Sequence, residues 1–129
     1  MKLGDKAELE RVFSAQDLAG YESLAGARGD YVPEPLIAAL FSYLLGVKLP
    51  GPGTNYLKQE IGFVGQAPLG AALTASVEVT RLREDKKIAD LWAKAVLGDG
   101  TVVAEGRSLV KYADTGRARA LDELGGNRA

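Results

Sequence analysis

Pro33-Glu34-Pro35-Leu36-Ile37-Ala38-Ala39-Leu40-Phe41-Ser42-Tyr43-Leu44-Leu45-Gly46 is the stretch on which the fold turns. Proline is tolerated in the first turn of a helix because the N–H it lacks would be unpaired there anyway, so Pro35 marks a helix start. A carboxylate at Glu34 suits the positive end of the helix dipole. Gly46 predicts the stop. The helix between them is apolar on nearly every face, and such helices are wrapped by other structure. The apolar run from Leu36 to Val47 is broken by Ser42, Tyr43 and Gly46 and is too short to cross a bilayer. It reads as one long buried helix.

Downstream, Leu49-Pro50-Gly51-Pro52-Gly53 can be neither helix nor central strand. Tyr56 to Val64 then reads as a strand. Leu73 to Arg83 alternates, with Leu73, Ala75, Val77 and Val79 on one face and Thr74, Ser76, Glu78 and Thr80 on the other. Glu84-Asp85-Lys86-Lys87 is a charged turn, and Ile88 to Leu97 the next strand. Gly98-Asp99-Gly100 signals a hairpin to a last strand, Thr101 to Tyr112. These last three strands predict an antiparallel meander.

Upstream, Lys6 to Phe13 alternates loosely, as a first strand would. Ser14-Ala15-Gln16-Asp17 is close to a capping box and starts a short helix from Ala15 to about Leu24. Gly26 to Asp30 is a loop. Residues 113–129 are rich in Arg, Ala and Gly, with Leu121 and Leu124 as their only large apolar residues. They read as a tail, frayed or forming a short helix that docks on a partner subunit. One sheet curling around one apolar helix is therefore the expected architecture, an α+β fold over residues 1–112.

Composition narrows the chemistry. The chain of 129 residues is long enough for one domain and one core. With 47% hydrophobic and 26% charged residues, it has the balance of a folded globular protein. A net charge of −1 gives no pull toward nucleic acid or an anionic membrane. The absence of cysteine excludes disulfides and thiolate chemistry and fits a reducing cytoplasm. The absence of histidine excludes Ser-His-Asp arrangements and His-ligated metal sites. Acid–base work falls to Asp, Glu, Lys or Tyr, and neither metal nor cofactor is implied.

The run from Leu45-Gly46 through Leu49-Pro50-Gly51-Pro52-Gly53-Thr54-Asn55-Tyr56-Leu57-Lys58-Gln59 to Ile61 and Phe63 resembles the MaoC-like, (R)-specific enoyl-CoA hydratase family. The similarity extends to Val12-Phe13-Ser14-Ala15-Gln16-Asp17, to Ala72 through Lys86, and to Val103-Ala104-Glu105-Gly106, covering about residues 5–112. The resemblance implies a hot-dog fold, a homodimer or higher oligomer, and an acyl thioester of CoA or acyl carrier protein as ligand. It also implies an Asp and a His as catalytic groups, and a Ser or Thr in the PGxGS/T loop that positions them. The corresponding residue of that loop is Thr54.

The catalytic segment departs from the family pattern. In one alignment Gly29-Asp30-Tyr31-Val32-Pro33 keeps the motif's opening, with Pro35 in place of its His. In the other, Val32-Pro33-Glu34 replaces the start of the helix and the catalytic segment is deleted. Either way the stretch between Gly26 and Leu36 is abbreviated. Asp30 and Glu34 are the carboxylates that could act there, although Asp30 is also an ordinary turn residue and Glu34 an ordinary first-turn acid. Pro35 removes a backbone N–H that could stabilise an oxyanion.

Thr54 with Gly53, Tyr56 and Tyr31 makes up the expected substrate-binding set, while Tyr31 and Tyr43 could line an acyl slot or belong to the core. Gly51 and Gly53 are explained by backbone conformation alone, and Thr54 by a hydrogen bond within the loop. Arg81, Arg83, Lys86 and Lys87 could meet CoA phosphates, or with Glu84 and Asp85 form a solvated turn.

Two functional readings follow. In the first, the chain is a degenerate family member that binds an acyl thioester or supports a catalytic paralogue in a heterodimer. In the second, it is an active enzyme of altered chemistry, a thioesterase or a hydratase working with a carboxylate alone. A structural homo-oligomer without thioester affinity is the third and weakest.

Overall fold

Strand β1 (Lys6–Val12) leads into helix α1 (Ala15–Ala25), then helix α2 (Glu34–Tyr43), which runs on through a π-helical turn (Leu44–Lys48). Strands β2 (Asn55–Phe63), β3 (Ala72–Arg83), β4 (Ile88–Leu97) and β5 (Val102–Lys111) complete the chain. The structure is a computed structural model and describes residues 1–25 and 30–113. Most of the loop expected from Gly26, and the tail beyond Ala113, lie outside the described residues.

The strands form one sheet in the order β1-β3-β4-β5-β2, with every pairing antiparallel. The expected meander is β3-β4-β5, and the outer strands come from the front of the chain. β-Bulges lie between Tyr56 and Lys58, Val79 and Arg81, and Ala95 and Val96. Each adds a residue to one strand and bends it, and so helps the sheet curl around α2.

The alternation read in β3 is realised side chain by side chain: Leu73, Ala75, Val77 and Val79 are all buried on the concave face. On the neighbouring strands that face mixes small residues, Ala89, Ala93 and Ala95 on β4 and Ala104 on β5, with the larger Leu91 and Val110. Small residues on the sheet leave room for large ones on the helix. Ile37, Leu40, Phe41, Leu44 and Leu45 fill it, all nearly or fully buried.

Helix α1 opens as its sequence predicts. The Ser14 N–H donates to the Asp17 carboxylate at 2.8 Å, and the Asp17 N–H donates to Ser14 Oγ at 3.1 Å, a reciprocal capping box. The Ser14 N–H also holds the Asp17 carboxyl below its ordinary value.

Two expectations about α2 are corrected. Gly46 does not stop the helix, because the π-helical turn carries it to Lys48. There the Leu49 N–H donates to the Leu44 carbonyl at 2.8 Å, and the Gly51 N–H to the Leu45 carbonyl at 3.0 Å. Helix-end carbonyls need such partners, and the proline-glycine loop supplies them from three and five residues beyond Gly46. Nor is the helix wrapped on every face. A single sheet covers one side only, and Tyr43 and Val47 stand about half exposed on the other.

Phe41→Ala, at a fully buried position, is expected to lower unfolding stability by about 3–5 kcal/mol. Gly106→Ala would drive a methyl group into the Glu60 carbonyl of the neighbouring strand. It is expected to loosen β2 from β5, seen as faster amide exchange along residues 56–63. Chemical denaturation and hydrogen exchange check the two.

Candidate functional site

The N-terminus of α2 is built from two segments pinned together. The Val32 N–H donates to the Ala67 carbonyl at 2.8 Å, the Leu69 N–H to the Asp30 carbonyl at 3.3 Å, and Tyr31 bridges to Pro68. This clamp sets the approach to α2 against the chain leaving β2. Between them lies a cavity of about 300 Å³, lined by Tyr31, Pro33, Glu34, Ile37, Phe63 and Gln66 with their neighbours. Its size falls at the lower end of small-molecule sites.

The helix end facing this cavity offers few donors. Pro33 caps the helix without a side-chain hydrogen bond, and neither Pro33 nor Pro35 has an N–H. The Leu36 N–H turns back to the Pro33 carbonyl at 3.0 Å. Among the described residues, that leaves the Glu34 N–H as the first-turn donor free to meet a ligand. Among the described residues Glu34 is also the sole carboxylate lining the cavity. Asp30 stands exposed beside the clamp, and its side chain is not part of the lining.

The other candidate residues lie at the far end of the helix. From Glu34 to Lys48 the helical segment rises roughly 20 Å at 1.5 Å per residue. The Thr54 hydroxyl donates to the Gly51 carbonyl at 2.6 Å, so it closes its own loop. Gly51 and Gly53 adopt φ of 98° and 88°, left-handed values that favour glycine. A Cβ on Gly53 would also strike Ala113 at 2.6 Å.

Tyr56 is the second residue of β2, and its phenol oxygen accepts from Gln59 Nε2 at 3.0 Å. Burial pushes its ionisation above the ordinary 10.0, and the nearby hydroxyls of Ser42 and Ser108 partly offset that. Ser108 Oγ is fully buried and lacks a partner of good hydrogen-bond geometry. Within one chain, therefore, Tyr31 and Glu34 come together, while Thr54, Gly53 and Tyr56 belong to a separate cluster.

Sequence reasoning missed Leu18, Ile37, Phe63 and Gln66 as cavity residues. Phe63 had a signal, since it alternates with Ile61 on β2. Gln66 had none, because only the clamp through Ala67 brings it to the helix.

A curled antiparallel sheet cradling one helix, with a cavity at the helix N-terminus, defines a hot-dog protein. The (R)-hydratase of Aeromonas caviae superposes with a TM-score of 0.82 at 34% identity, over 88% of this chain and 98% of that one. The fluoroacetyl-CoA thioesterase FlK shares the fold with a TM-score of 0.68 at 11% identity. No protein-family model matches the chain.

Curated relatives do match. The (R)-specific enoyl-CoA hydratase of Aeromonas caviae is 35% identical over 127 residues, covering 86% of this chain and 95% of the relative. The 3-hydroxybutyryl-CoA dehydratase of Methylorubrum extorquens is 30% identical over 146 residues, covering all of this chain and 92% of its own length. The chain belongs to the MaoC-like (R)-specific enoyl-CoA hydratase family.

Of the five tyrosines, Tyr56 and Tyr112 are both held above their ordinary 10.0 by burial. In an ultraviolet pH titration these two are expected to ionise last, and Tyr56→Phe to remove one late step. A raised tyrosine pKa favours the protonated folded state. Its contribution is whole below pH 10 and is lost as pH rises through the folded value. The variant should therefore lose stability less steeply above pH 10.

Proposed function

We propose that this chain binds an acyl thioester, carried by CoA or an acyl carrier protein, and does not hydrate an enoyl group. The cavity at the α2 N-terminus carries the reading. Its shape is kept, but its chemistry is thin. Hydration needs a base to take a proton from water, an acid to protonate the α-carbon, and donors for the thioester oxygen. The cavity offers one carboxylate and one free first-turn N–H, and the chain has no histidine. The names of the curated relatives support a CoA thioester as ligand.

The functional unit is a dimer of two copies, or a pair with a catalytic paralogue, joined along β2. This nine-residue strand is a sheet edge with most of its residues exposed, and unpaired edges are templates for another strand. Exposed Leu57 and Val64 lie toward its two ends, and Tyr43 and Val47 are exposed on α2. A two-fold antiparallel docking reverses the second β2. The Thr54–Tyr56 end of one copy then approaches the Phe63 end, and so the cavity, of the other. The two separated clusters become one site, with Tyr56 and Thr54 facing the acyl thioester from the second subunit.

A second reading keeps catalysis. Glu34 sits on the cavity wall, where it could serve as base or nucleophile in thioester hydrolysis.

The purified chain is expected to bind butyryl-CoA by calorimetry while leaving the enoyl absorbance of crotonyl-CoA unchanged. Hydration by the chain alone, lost in Asp30→Ala, would sink the first reading. CoA release abolished by Glu34→Gln would establish the second. The Leu57→Lys, Val64→Lys double variant is expected to sediment as a monomer and to bind butyryl-CoA roughly tenfold or more weakly. An unchanged dimer would remove β2 as the interface.

A further inference from the structure

The convex face of the sheet, turned away from α2, carries a second depression of about 130 Å³. Arg81 and Arg83 of β3, Ile88 and Asp90 of β4, and Arg107 and Leu109 of β5 line it. The register sets Arg81 and Leu109 on either side of Asp90, and Arg83 beside Ile88. The bulge after Val79 is what makes this possible, because both arginines face outward while Val79 and Leu82 keep to the concave side. Three guanidiniums thus surround one carboxylate, an excess of two positive charges.

The carboxylate is already spoken for. Asp90 is one of two buried polar residues among those described, and its Oδ1 accepts the Arg107 Nε–H at 2.6 Å. A carboxylate that takes the Nε edge fixes the plane of the guanidinium and leaves Nη donors for another acceptor. Glu60, the next nearest acid to Arg107, is held by Lys58 at 2.8 Å. Among the described residues no carboxylate forms an ion pair with Arg81 or Arg83. Like charges gathered on one sheet face oppose folding, and an anion bound among them offsets that cost.

We propose that this convex-face depression binds a phosphate group, free or esterified. Several oxygens sharing negative charge match guanidiniums carried by the two strands that flank β4, as a single carboxylate does not. The sheet separates this depression from the Tyr31–Glu34 cavity, so the phosphate is not the headgroup of an acyl thioester held there by the same chain. It is a separate ligand. Trp92, the one tryptophan of the sequence, lies directly opposite Arg107 on the same face and is 42% exposed. It offers a stacking surface to a nucleotide base and a built-in fluorophore.

The test titrates the full chain with inorganic phosphate, pyrophosphate and adenosine diphosphate, following Trp92 emission and, independently, phosphorus NMR linewidth. Sodium chloride at matched ionic strength is the control. Saturable binding is expected, weakened roughly tenfold or more in the exposed Arg81→Gln, Arg83→Gln double variant. Arg107→Gln is avoided because it would leave buried Asp90 unpaired. Saturation by all three ligands supports a bare phosphate site, and saturation by the nucleotide alone supports one completed by stacking on Trp92. A response that chloride reproduces, or that survives unchanged in the double variant, overturns the proposal.

Discussion

Everything in this molecule depends on α2 lying close against a sheet face lined with alanine. Ala75, Ala89, Ala93, Ala95 and Ala104 leave room between the larger Leu73, Val77, Val79, Leu91 and Val110 of that face, and Ile37, Phe41, Leu44 and Leu45 fill the space so made. Interiors pack at crystal-like density, so small residues on one layer demand large ones on the other. Bulges in β2, β3 and β4 or β5 let the strands curl to meet the helix. Once the helix is seated, its two ends acquire different roles. The N-terminus opens on the cavity, and the C-terminus is tied down by the Leu49–Thr54 loop.

The two ends of α2 also differ in what they do for the fold. The Leu49–Thr54 segment satisfies helix-end carbonyls and its own threonine hydroxyl, which is structural work independent of any reaction. Replacing it would cost the fold. The N-terminal approach does less for the fold, since two backbone hydrogen bonds to the chain after β2 hold it in place. Prolines at 33 and 35 suit a helix start yet remove donors from the end that faces the cavity. The fold therefore leans on the C-terminal end of this helix, and the cavity lies at the other.

Much of the fold was legible because its signals are local. Alternation in β3 and the Ser14–Asp17 box each depend on neighbours in sequence, and the structure has them where the residues imply. The helix end was misjudged because Gly46 is a local stop signal overridden by carbonyl partners from Leu49 and Gly51. Complete wrapping of α2 was misjudged because an apolar stripe cannot tell cover by its own sheet from cover by something else. In the site, Tyr31 and Glu34 were legible by proximity in sequence. Gln66 was not, since it reaches the cavity only through the clamp between residues 30–32 and 67–69.

The sequence by itself determined that histidine and cysteine chemistry is closed to this protein, that one apolar helix pairs with an antiparallel meander, and that the family is that of the (R)-specific enoyl-CoA hydratases. Those conclusions need only residue identity and short-range periodicity. The tertiary structure alone decided that Thr54, Gly53 and Tyr56 sit about a helix length from Glu34. It alone set the register that gathers Arg81, Arg83 and Arg107 around Asp90 on one face of three neighbouring strands. The physical reason is common to both. Strand order and register set which distant side chains share a face, and pairing between distant segments leaves no mark on the residues taken one stretch at a time.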